Sequence, residues 1–126
     1  MEMMTGTVSN GMAANVAVRV RGPNGRETVI RAMIDTGSTV ALTLPPQVVA
    51  DLELDPASIG FAQMADGSIR DYETFLVEFD WQGHWHELAV ACLGTESLVG
   101  TPLLRGSELR IVYVPGGRVD IQPITS

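Results

Sequence analysis

Apolar and polar positions in this chain alternate in short runs instead of recurring at the three-to-four-residue spacing of a helix. Val16, Val18 and Val20 alternate with Ala17 and Arg19, and Gly22-Pro23-Asn24-Gly25 leads into a second run over residues 27–34. This pair predicts a hairpin whose second strand ends on Met33 and Ile34. A further short strand is expected over 40–44. Pro45-Pro46 then begins a helical turn through Val48, Val49 and Leu52, with Pro46 suited to a first helical position because no backbone donor is needed there. Residues 61–64 and 69–75 flank Ala65-Asp66-Gly67-Ser68, where the Asp-Gly pair signals a hairpin turn tolerant of positive φ. Residues 76–81 and 86–93 read as another hairpin about Gln82-Gly83. Leu98-Val99-Gly100 precedes a short helix that Thr101 can cap and Pro102 can begin. Residues 109–114 and 119–124 make a last hairpin about Pro115-Gly116-Gly117. Glycine and proline interrupt the runs roughly every eight to twelve residues, the pattern of a sandwich or barrel, so the expected class is all-β with one or two short helices.

With 126 residues the chain can build one core but not two, so it reads as a single domain over 1–126, with the first ten residues loose. A site made of two equivalent halves would therefore need a second copy of the chain. Hydrophobic residues make up 45% and both signs of charge are dispersed, which places the sequence among soluble globular proteins. No apolar run reaches membrane-spanning length, and Met1-Glu2-Met3-Met4 opens no basic-then-apolar leader; no membrane partner and a cytoplasmic location are expected. The formal charge of −7, with arginine as the sole basic residue type besides histidine, argues against nucleic acid as a partner, because phosphate binding relies on clustered cations.

Cys92 stands alone, which excludes an internal disulfide; between Val90, Ala91 and Leu93 it reads as a small buried hydrophobe. His84 and His86 would share one face of a strand, but no third ligand is evident, so neither metal nor other cofactor is expected. Trp81 and Trp85 read as packing or interface bulk. No serine lies in a Gly-x-Ser-x-Gly context, no obvious base accompanies the cysteine, and no glycine-rich phosphate loop opens a helix. Glu2, Asp51, Glu53, Asp55, Asp71, Glu73, Asp80 and Glu108 read as solvated surface.

The remaining chemistry is concentrated where apolar Met33 and Ile34 run into Asp35-Thr36-Gly37-Ser38, which puts a carboxylate at the end of a buried strand. Taken alone, Asp, Thr and Gly are ordinary turn formers. Together with Leu42-Thr43-Leu44-Pro45 and, downstream, Leu98-Val99-Gly100-Thr101-Pro102-Leu103-Leu104, the turn makes the sequence resemble the retropepsin-like aspartic peptidases, the family of retroviral proteases and small bacterial relatives, over about residues 16–124.

That resemblance implies an acid-protease barrel whose Asp35 is catalytic and meets Asp35 of a second chain across a twofold axis. Two adjacent carboxylates share one proton, as aspartic-peptidase dyads do, and activate a bridging water against a peptide bond. It further implies that Thr36 braces the turn against the second chain and that the Gly37 backbone donates toward the carboxylate. Ser38 would hydrogen-bond the ionised Asp35, and Leu98, Val99 and Gly100 would pass beneath the turn. Ala65, Asp66, Gly67 and Ser68 would form the tip of a flap that closes over substrate. The implied activity is that of an aspartic endopeptidase acting on a peptide or protein substrate as a homodimer. The sequence departs from the retroviral pattern in three places. The flap tip has one glycine, Thr101 stands where those enzymes carry an arginine, and a hairpin after Leu109 replaces a terminus woven between subunits. Two alternatives stand beside this reading: a noncatalytic dimerisation or peptide-binding module of the same fold, and a small-molecule-binding barrel in which Asp35 is only a turn residue.

Overall fold

The computed structural model describes residues 2–124. Ten strands and two short helices follow in the order β1 (Met4–Val8), β2 (Ala14–Arg21), β3 (Glu27–Ile34), β4 (Leu42–Leu44), α1 (Pro46–Asp51), β5 (Asp55–Gln63), β6 (Ile69–Trp81), β7 (His84–Cys92), β8 (Ser97–Val99), α2 (Thr101–Leu104), β9 (Ser107–Ile111) and β10 (Arg118–Pro123). The sheet runs β5-β6-β7-β4-β8-β3-β2-β1-β10-β9, and an added β6–β2 pairing closes the six strands from β6 to β2 into a barrel. The expectation of a mainly β chain with one or two short helices is met by two.

Alternation explains the barrel wall. Along β2, Ala14, Val16, Val18 and Val20 turn inward, while Arg19 and Arg21 turn outward to Glu27 and Glu78 at 2.6 and 2.8 Å. Phe79, Leu42, Leu44, Val90 and Val99 complete a core free of solvent, each such side chain contributing ~1.5–3 kcal/mol by its removal from water. Outside the barrel, the Trp85 ring lies 3.9 Å from the Arg21 guanidinium and 5.2 Å from that of Arg19, covering the β2–β6 seam with a cation–π stack. Trp81 is the buried indole of the pair, packed in the main core.

Five expectations are corrected. β9 ends at Ile111 instead of running to residue 114, so residues 112–117 form the loop to β10. Residues 4–8 are not loose: β1 pairs with β10 from Met4↔Ile121 to Thr7↔Arg118 and with β2 from Gly6↔Val16 to Val8↔Ala14. Gly6 permits this closeness, since a Cβ there would strike the Asn15 carbonyl oxygen. Residues 69–81 form one 13-residue strand rather than two, because β6 pairs with β5 through its first half and with β7 through its second. β4 starts at Leu42, not Val40, because Val40 is held in the preceding turn by Ser38. Gly100, not Thr101, occupies the cap position of α2, and Thr101 is its first helical residue.

Candidate active site

β3 and β4 are consecutive in the chain but not neighbours in the sheet. β8 lies between them, parallel to β3 (Ala32↔Ser97, Met33↔Leu98, Ile34↔Val99) and antiparallel to β4 (Leu42↔Val99, Thr43↔Leu98). Residues 35–41 must therefore cross the end of β8, and Asp35 begins that crossing.

Backbone groups fix the crossing. Asp35 N–H donates to Val99 O at 2.9 Å, Gly100 N–H to Ala41 O at 3.0 Å, and Thr101 N–H to Ser38 O at 2.9 Å. The Thr101 hydroxyl adds a second donor to Ser38 O at 3.2 Å. Contact this close requires a residue without a side chain at position 100, because a Cβ there would overlap the Val40 carbonyl oxygen. Within the turn, Ser38 N–H donates to Asp35 O at 3.1 Å, and Gly37 N–H donates to Asp35 Oδ1 at 3.0 Å. The carboxylate is thus aimed by a backbone donor, as the reading of Gly37 anticipated. Asp35 is half-buried; Thr36 and Gly37 are exposed.

Ser38 departs from its expected role. Its hydroxyl donates to Val40 O at 3.3 Å and accepts from Val40 N–H at 3.2 Å. Its single donor is spent closing its own turn, in the way short hydroxyl side chains commonly compete for local backbone groups. Asp35 receives its hydrogen bond from Gly37 alone among the side-chain and turn donors just described.

Facing the turn is the β5–β6 hairpin. Its tip is closed by Met64 N–H to Ser68 O at 2.7 Å and Gly67 N–H to Met64 O at 2.9 Å, with Gly67 at φ 87°. Asp66 Oδ1 accepts from the Ser68 hydroxyl at 2.6 Å and from its N–H at 2.9 Å, and these bonds hold the Asp66 carboxyl below the usual aspartate range. Ala65, Asp66, Gly67 and Ser68 are all exposed. At the hairpin's base, Ser58 and Thr74 exchange three hydrogen bonds of 2.9 to 3.1 Å, and the Tyr72 ring lies over Gly60.

A cleft of about 450 Å³ separates turn from hairpin. Gly37, Ser38 and Val40 line one wall, and Ala62, Gln63 and Met64 the other. Met33 and Leu98 give it an apolar floor, while Arg70 and Glu96 add charge at its edges. The structure therefore brings together Gly37, Ser38, Leu98 and the strand leading to the tip, with Val99 and Gly100 beneath the turn. It does not place the Asp35 side chain or the tip residues 65–68 in the cleft lining of a single chain. Arg70 and Glu96 were not anticipated. The cross-strand pairing Ala62↔Arg70 would have assigned Arg70 to the cleft face had the hairpin register been known.

Other candidate groups lie apart. A cavity of about 620 Å³ opens between α1 and the hairpin base, with Cys92 on its wall. Burial, and to a lesser degree Glu73, push the Cys92 thiol up, away from the reactive thiolate. His84 and His86 are exposed, and among the described residues no group of three His, Cys, Asp or Glu side chains is placed to hold a metal ion. Among the same residues no helix is long and apolar enough to cross a membrane. Compared with known proteins, the chain matches no family model and no curated sequence, so the site must be understood from its own residues.

Proposed function

We propose that this chain is one protomer of a homodimeric aspartic endopeptidase and that Asp35 is its catalytic carboxylate. The observation that carries the proposal is the Asp35 turn itself. A carboxylate at the end of β3 is oriented by Gly37 N–H at 3.0 Å, clamped over β8 by Gly100 and Thr101, and set beside a cleft whose far wall is the β5–β6 hairpin.

Peptide hydrolysis by water needs a base to take a proton from the nucleophile and an acid to stabilise the oxyanion. One Asp35 supplies one of these. A second chain related by a twofold axis supplies the other, and mutual repulsion keeps one proton shared between the two carboxyls. The ionised member deprotonates the bridging water, and the protonated member hydrogen-bonds the developing alkoxide. Thr36 is exposed, as a residue reaching toward a second chain must be. Met33, Val40 and Leu98 give an extended substrate an apolar seat, and the backbone edge of β5, the first strand of the sheet, can pair with it.

The test is cleavage of a mixed peptide library across pH, with and without pepstatin, by the wild-type chain and by Asp35→Asn. Loss of the acid–base pair is expected to slow cleavage by roughly 10²- to 10⁴-fold or more while leaving the folded structure intact. Unchanged turnover by Asp35→Asn would overturn the assignment. A second reading, a noncatalytic peptide-binding or dimerisation module, is favoured by one observation: in the single chain, Asp35 does not line the cleft. That reading requires peptide binding without cleavage at every pH, unaffected by Asp35→Asn.

A further inference from the structure

The half-site at Asp35 needs a partner surface, and the end of the sheet that carries it has one of unusual composition. Met33 pairs with Asn15, Ala14 pairs with Val8, and Val8 exchanges hydrogen bonds with Gly116 and Gly117, at 2.8 and 2.9 Å. The turn over residues 9–13 and the loop over residues 112–117 therefore project from the same end of the sheet as Asp35. Ile34, the residue before Asp35, and Ile111, the residue before the loop, pack against one cluster of Val8, Ala14 and Val119.

At this end the chain exposes large apolar side chains: Met12 at 44%, Val112 at 49%, Tyr113 at 57% and Val114 at 52%. The loop that carries three of them is held by its own backbone, through Val112 N–H to Arg118 O at 2.9 Å, Val114 N–H to Val112 O at 2.9 Å and Gly117 N–H to Val114 O at 2.7 Å. A Cβ on Gly117 would strike the Val112 carbonyl oxygen, so the loop is compact as well as bonded. The ordering cost of presenting these side chains is therefore met by the fold and not by binding.

Charge identifies the occupant. The chain carries −7, so a contact between two copies is opposed least where neither brings carboxylates face to face. Residues 9–13 and 112–117 contain no charged residue, and residues 35–41 contain only Asp35. A neutral apolar surface is also self-complementary, as a twofold contact requires, whereas a patch of a single charge sign is not. We infer that the loop Val112-Tyr113-Val114, with Met12, is the dimer contact of this chain and sets the distance between the two Asp35 turns. The inference rests on the homodimeric reading above and adds the surface through which the dimer forms.

Sedimentation equilibrium of the full chain at pH 7, over a wide concentration range, tests it on four proteins: wild type, Tyr113→Glu, a Tyr113→Ser/Val114→Ser double variant, and Val29→Glu. Val29 is 61% exposed in mid-β3, away from the Asp35 end, and serves as the control. Circular dichroism verifies the fold of each. Wild type and Val29→Glu are expected to show the same reversible monomer–dimer equilibrium. Tyr113→Glu places a carboxylate on each side of the axis and is expected to weaken dimerisation at least about tenfold, with the serine variant also weaker than wild type. Cleavage by Tyr113→Glu is expected to recover as its concentration is raised. If wild type dimerises and both loop variants dimerise equally well, the interface is elsewhere and this inference fails while the dimer stands. If wild type remains monomeric at every concentration, the dimer and this inference fail together. A dimer that weakens as expected but never cleaves peptide sustains the interface and overturns the peptidase.

Discussion

Replacing Gly100 by alanine probes the crossing that holds Asp35 in place. Gly100 has φ −99°, a conformation open to any residue, so the effect of the substitution is steric and not torsional. The added Cβ would overlap the Val40 carbonyl oxygen and lie 2.8 Å from Ser38 O and 2.9 Å from Val40 C. All three are backbone atoms, and none can rotate away. Relief requires the junction of β8 and α2 to move off the turn, stretching Gly100 N–H to Ala41 O from 3.0 Å and Thr101 N–H to Ser38 O from 2.9 Å. Overpacking of this kind costs ~1–3 kcal/mol, and each weakened hydrogen bond adds ~0.5–1.5 kcal/mol, for a working figure of about 4 kcal/mol. With a urea dependence of about 2 kcal/mol per molar, the unfolding midpoint is expected to fall by about 2 M. Gly11→Ala is the matched control, because its Cβ meets nothing nearer than Ser9 Oγ at 3.9 Å; it is expected to stay within ~0.5 kcal/mol of wild type. Urea titrations followed by tryptophan fluorescence measure all three. A Gly100→Ala midpoint indistinguishable from that of Gly11→Ala would refute the close packing of the turn on β8.

Three further expectations concern the core, the hairpin tip and the cysteine. Phe79 is fully buried in the barrel, and Phe79→Ala is expected to cost ~3–5 kcal/mol in the same urea assay; a cost below about 1 kcal/mol would place Phe79 outside the main core. At the tip, the Ser68 hydroxyl and then its N–H lower the Asp66 carboxyl, so their stabilisation of the turn is complete above the ordinary aspartate value and is lost as pH falls through the lower folded value. NMR titration of Asp66 should give a midpoint below that of a model peptide, and Ser68→Ala should move it back up; equal midpoints in the two proteins would contradict the hydrogen bonds. Cys92 is expected to react with iodoacetamide at pH 8 more slowly than a free peptide cysteine, since burial disfavours its thiolate; equal rates would contradict that placement.

Much of the barrel wall was legible because inward valines at every second position of residues 16–20 leave little choice of register or face. The Asp35 turn was legible as a turn from Asp35, Thr36 and Gly37, but its candidate chemistry showed only through the accompanying blocks Leu42-Thr43-Leu44-Pro45 and Leu98-Val99-Gly100. β1 was not, because Met4-Thr5-Gly6-Thr7-Val8 has a weak apolar alternation and its order comes from pairing on both edges with residues far along the chain. The first half of β5 was hidden by Asp55-Pro56-Ala57-Ser58, which reads as a turn but is held by an irregular register at Pro56 and Ile59 and by the Ser58–Thr74 hydroxyl pair. Ser38 and Thr101 show the same limit within the site. Nothing local tells a serine whether to bond Asp35 or Val40, and the Thr101 hydroxyl finds Ser38 only across 63 residues of chain.

The central claim is that each catalytic site takes one Asp35 from each of two chains. It is tested most directly by mixing wild type with Asp35→Asn in varied ratio at fixed total concentration, allowing subunit exchange, and measuring the rate of peptide cleavage. If one site requires two intact carboxylates, activity follows the square of the wild-type fraction, and an equal mixture retains about one quarter of the rate. Activity that instead falls in simple proportion, leaving half the rate in the equal mixture, would show that one chain suffices and contradict the account.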